Sequence, residues 1–61
     1  MKAKELEKLA LEKGWEYLEG RGKGSHRIYK HKDKKGLLTI PFHGSKEIPK
    51  GTEQSILKKI G

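Results

Sequence analysis

Residues 26–41 read HRIYKHKDKKGLLTIP. Two short runs rich in β-formers, HRIYKH (26–31) and LLTIP (37–41), flank the turn-forming segment KDKKG (32–36). That arrangement predicts an antiparallel hairpin. Asp33 suits the first position of the turn and Gly36 the last. Pro41 has no N–H to donate and closes the second strand. Alternation sets His26, Ile28 and Lys30 on one face and Arg27, Tyr29 and His31 on the other. Each face carries one large apolar residue. Lysine is the easier residue to leave in water, so Tyr29 is expected inside, with His26 and Lys30 on the open face.

Working outward from the hairpin, residues 2–13 predict a helix. Ala3, Leu6, Leu9, Ala10 and Lys13 recur at spacings of three and four and give one narrow apolar stripe. Gly14 suits the left-handed position that closes a helix, and Trp15 after it is expected to fold back on Leu9 or Ala10. WEYLE (15–19) reads as a short strand with Trp15 and Tyr17 on one face, until Gly20, Gly22 and Gly24 interrupt the pattern. Beyond HGSKEIPKG (43–51) the chain turns helical again, with Thr52 as N-cap or Pro49 as the first helical residue. Ile56, Leu57 and Ile60 form its buried stripe, while Lys58 and Lys59 complement its negative end. The order is α-β-β-β-α. A three-stranded antiparallel sheet with both helices on one face, an α+β fold, is its simplest packing.

Sixty-one residues make one domain, 1–61. A chain of this size buries only about 60% of its unfolded surface, and its core is expected to supply no more than roughly 3–5 kcal/mol of net stability. It has no cysteine, hence no disulfide and no thiolate metal site. No apolar run approaches the ~18 residues of a membrane span and no signal-peptide pattern opens the chain, so a cytoplasmic protein with no membrane partner is expected. A sheet with two helices leaves no space for a deep pocket, which favours a large substrate or partner.

The net charge of +7 is unevenly placed. Residues 1–19 sum to −1 and residues 36–61 to +2. Residues 20–35 carry Arg21, Lys23, Arg27, Lys30, Lys32, Lys34 and Lys35 against Asp33 alone, a net +6. A concentrated basic stretch attracts polyanions, because neutralising phosphates releases counterions. A solvated, solubilising surface is the plainer explanation of the same charges.

Three histidines, His26, His31 and His43, are the groups able to do chemistry. A strand offset of five puts His26 and His31 on opposite faces, and without cysteine or a helical histidine pair no metal site or other cofactor is expected. Ser25 and His26 are strand neighbours pointing apart, which argues against a serine nucleophile. GRGKG (20–24) lacks the Gly-Lys-Ser/Thr helix opening of a phosphate loop and reads rather as a flexible hairpin. His26 stands just after that glycine-rich segment, among Arg21, Lys23 and Arg27. Neighbouring cations favour a neutral, basic imidazole. Such a base can take a proton from an RNA 2′-OH and so direct the 2′-oxygen onto the adjacent phosphorus. The plainer role for His26 is a hydrogen bond to phosphate or 2′-OH.

GW (14–15), GSHRIYKH (24–31), IPFHGSKEIPKGT (40–52) and SILKKIG (55–61) together resemble the HicA family of toxins, over almost the whole chain. The resemblance implies a double-stranded-RNA-binding-domain-like fold. It also implies ribosome-independent cleavage of messenger RNA and a HicB-like antitoxin as protein partner. The family's catalytic histidine falls on His26. Gly24 and Ser25 share its motif, His43 and Gly44 match the later block, and His43 is a second imidazole available as an acid. Arg21, Lys23, Gly24, Ser25, Arg27 and Lys30 are the expected RNA contacts. A non-catalytic RNA-binding module of the same fold is the alternative.

Overall fold

The computed structural model describes residues 1–20, 25–42 and 46–61. The chain runs α1 (Ala3–Glu12), β1 (Glu16–Tyr17), β2 (His26–His31), β3 (Lys34–Pro41) and α2 (Lys50–Ile60). The strands form an antiparallel sheet in the order β1-β2-β3. This is the expected α-β-β-β-α arrangement of a double-stranded-RNA-binding-domain-like fold. Tyr29, Leu38 and Ile40 are fully buried on the helix side of the sheet, against Ala3, Leu6 and Ala10 of α1 and Ile56 and Ile60 of α2. Leu9 and Leu57, both expected in the buried stripes, are only partly covered.

The hairpin differs from the expected one in its turn. His31 pairs directly with Lys34, so Lys32 and Asp33 alone make the connection. Tyr29 pairs with Leu38, which leaves Lys35, Gly36 and Leu37 of β3 opposite only Lys30. Gly36, at φ +84°, therefore sits in a bulge within the strand rather than ending the turn. The two-residue turns that match strand twist need a positive φ at a central residue. Neither Lys32 nor Asp33 has one, and the left-handed glycine two residues later restores the ladder.

Lys2 is the N-cap of α1, and its N–H donates to the Glu5 carboxylate at 2.8 Å. The helix ends as its sequence suggests. Gly14, at φ +96°, donates to the Leu11 carbonyl and Trp15 donates to that of Ala10 at 2.9 Å, the paired bonds of a Schellman close. Trp15 is thereby swung into the core, where its indole N–H donates to the Ile60 carbonyl at 3.3 Å. A methyl group at position 14 would also lie 2.9 Å from His31 Nε2. Gly14→Ala is expected to cost about 2 kcal/mol through the left-handed backbone, with the crowding at His31 adding to it. An unchanged urea midpoint would contradict this.

Helix α2 starts at neither expected position. Pro49 is its N-cap, its carbonyl accepting from the Glu53 N–H at 2.8 Å, and Thr52 lies inside the first turn. The entry is fixed by buried Ile48, whose N–H donates to the Met1 carbonyl at 3.0 Å. At the other end Lys34 Nζ donates to the Ile60 carbonyl at 2.9 Å and caps the helix.

Candidate nucleic-acid interface

Strand β2 divides the candidate residues between the two faces of the sheet. His26 opens the strand opposite Pro41 and is exposed, as is Ser25 before it. The Ser25 carbonyl accepts the Phe42 N–H at 2.6 Å, which carries the ladder one step past the His26–Pro41 pair. Lys30 is exposed and pairs across the strands with Glu16, while Ile28 pairs with Thr39. His26, Ile28 and Lys30 thus share the face without helices. Four residues of strand separate His26 from Lys30 by about 13 Å.

Arg27 lies on the opposite face. Its Nη1 donates to Glu7 Oε2 at 3.2 Å, and its guanidinium sits 4.2 Å over the Phe42 ring and 5.5 Å over that of Tyr17. Burial alone would lower the Arg27 guanidinium, but the Glu7 hydrogen bond and charge outweigh it and hold it above its usual value. The structure therefore places His26, Ile28 and Lys30 on the open face and sets Arg27 apart from them. Lys34 is exposed, but its ammonium is engaged at the end of α2. Arg21, Lys23 and Gly24 lie outside the described residues, as do His43 and Gly44.

Tyr29 joins Arg27 on Glu7, its hydroxyl donating to the same Oε2 at 2.5 Å. Burial chiefly, and Glu7 next, push the phenol above its ordinary value. The folded state favours the neutral phenol. Its contribution is complete below about pH 10, where the unfolded phenol titrates, and is lost as pH rises through the folded value. Tyr29→Phe is expected to cost about 1 kcal/mol at neutral pH. The gap from wild type should narrow in urea denaturation above pH ~10, and a constant gap up to about pH 11 would count against the argument.

His31 is a structural pin. Its Nδ1 accepts the Asp33 N–H at 3.0 Å, so its Nε2 carries the proton donated to the Lys13 carbonyl at 2.9 Å. Its ring meets Trp15 edge-on at 5.3 Å between centroids. It thereby ties the end of α1 to the β2–β3 turn, on the side of the sheet away from His26. Among the described residues no group of three His, Asp or Glu side chains is placed to hold a metal ion. No helix among them is long and apolar enough to cross a membrane.

Sequence reasoning passed over Glu7, Tyr17 and Phe42. A signal existed for the first. Glu7 adjoins the Ala3–Leu6–Ala10 stripe, and a cation on the Tyr29 face of β2 requires an acidic partner there.

Among curated proteins none matches the chain. A family model described as HicA toxin of bacterial toxin-antitoxin matches residues 3–61, which takes in both helices, all three strands and His26. The chain belongs to the HicA toxin family of bacterial toxin–antitoxin systems.

Proposed function

We propose that this toxin is a metal-independent endoribonuclease acting on messenger RNA in the cytoplasm, with His26 as its catalytic base. The observation that carries the reading is the position of His26. It is exposed on the face without helices, at the first residue of β2, directly after the glycine-rich cationic segment. A base there meets a large, flat substrate rather than a small molecule, as a polynucleotide requires. Ser25 and Lys30, with Arg21, Lys23 and Gly24 of the preceding segment, supply phosphate contacts that hold the strand without reading its sequence.

In the reaction the 2′-oxygen bonds to the adjacent phosphorus as its proton passes to His26. The bond from phosphorus to the 5′-oxygen breaks, that oxygen takes up a proton from solvent as it leaves, and the His26 imidazolium returns its own proton to solvent. A 2′,3′-cyclic phosphate remains. Cationic side chains stabilise the charge that builds on the phosphoryl oxygens. The chemistry uses the nucleophile that RNA carries and DNA lacks, and among the described residues no ligand cluster calls for a metal.

An unrestrained nuclease harms its own cell, so a HicB-like antitoxin is proposed to cover the open face around His26. Co-expression should give a stable complex in which RNA cleavage is silent and His26 is shielded from solvent. Incubation of the free protein with labelled single- and double-stranded RNA tests the activity. Cut products support the nuclease, retention without cutting supports a binding module of the same fold, and the absence of both contradicts each reading.

A further inference from the structure

In the sequence Arg27 belongs to the cationic run around His26, but in the structure its charge is turned the other way. The guanidinium donates to Glu7 and lies over Phe42 with Tyr17 nearby. Its charge is balanced by a carboxylate and one flat face is stacked on a ring. An arginine so committed is poorly placed to hold a phosphate. Phe42 is itself a link rather than an anchor, because its N–H donates to the Ser25 carbonyl at 2.6 Å. Ser25 is the residue before His26. Contacts therefore run from α1 through Glu7, Arg27 and Phe42 to the backbone on which His26 stands.

We propose that Arg27 is a positioning residue for the site at His26: braced by Glu7, it holds the Phe42 ring and keeps the Phe42–Ser25 backbone bond that sets where His26 enters β2. Arginine suits the task because its planar fork can pair with a carboxylate while its face stacks on an aromatic ring, whereas an ammonium cannot do both. The inference rests on His26 as the catalytic base, and it removes Arg27 from the phosphate ligands expected from sequence.

The test compares Arg27→Lys, Arg27→Gln, Phe42→Leu and the Arg27→Lys/Phe42→Leu double variant. Single-turnover cleavage, RNA affinity against salt, and the NMR resonances of Ser25 and His26 are measured for each. Arg27→Lys should bind RNA with the wild-type salt slope, cut about 10- to 100-fold more slowly and displace both sets of resonances. Phe42→Leu should do the same, and the double variant should be no worse than the poorer single one, because both act through one link. A flattened salt slope in Arg27→Gln, with cleavage of bound RNA intact, makes Arg27 a phosphate ligand and overturns the proposal. Should Arg27→Gln fail to fold, Arg27→Lys and Phe42→Leu decide. If wild type itself does not cut RNA, the nuclease reading falls, yet the resonances still answer. Displacement in both variants upholds the link, and unmoved Ser25 and His26 signals overturn it.

Discussion

Replacing His26 by alanine is expected to slow RNA cleavage by about 10²–10⁴-fold, the range over which a positioned acid–base group acts. Growth inhibition on expression should disappear with it. His26 is exposed and takes no part in the core, so the fold and its stability should change little, within about 0.5 kcal/mol. Most RNA affinity should also survive, since sequence-independent binding comes from cations spread along the chain rather than from one imidazole. The separation is the point of the experiment. A variant that binds but does not cut identifies His26 with the chemistry. A variant that cuts at the wild-type rate removes it from the mechanism, and one that loses binding and cutting in parallel makes it a contact only.

Trp15→Ala is expected to unfold the protein. Trp15 is the largest of the fully buried side chains, 2% exposed, and joins several parts of the fold at once. Its N–H meets the Ile60 carbonyl at the end of α2, its ring receives the edge of His31, and Lys34 Nζ lies 5.8 Å from the ring centre. Its backbone N–H also closes α1 on Ala10. Truncating a buried tryptophan costs about 3–5 kcal/mol, comparable to the roughly 3–5 kcal/mol that a core of this size supplies. Far-UV circular dichroism at 25 °C should show loss of helix. A cooperative urea transition near the wild-type midpoint would show that the core tolerates the void.

The order of elements was legible because local signals agreed. Gly14 and Trp15 marked the end of α1 by backbone chemistry alone, and the structure contains both bonds that chemistry calls for. The inward face of β2 followed from the unequal cost of burying Tyr29 or Lys30. Boundaries set by distant contacts were not legible. The start of α2 depends on Ile48 bonding to Met1, and the bulge at Gly36 on twist that accumulates across the hairpin. At the site, alternation already set Arg27 on the face opposite His26, but the partners that meet it there were not legible. It neighbours His26 along the strand, and for that very reason its side chain emerges on the other face, where Glu7 and Phe42 take it. Lys34 likewise counts toward the basic stretch but serves the end of α2. Net charge locates a region, and only side-chain direction shows which of its charges face outward.

The chemical nature of the cut ends is the most direct test of His26-mediated attack by the 2′-OH. Wild-type protein, freed of partner and held in excess chelator, should convert RNA to fragments ending in a 2′,3′-cyclic phosphate and beginning with a 5′-hydroxyl. An otherwise identical all-deoxy strand should stay intact. Mass spectrometry of the fragments distinguishes these ends. Fragments bearing 5′-phosphate and 3′-hydroxyl ends, activity lost in chelator and restored by a divalent ion, or cleavage of the deoxy strand would each contradict the mechanism.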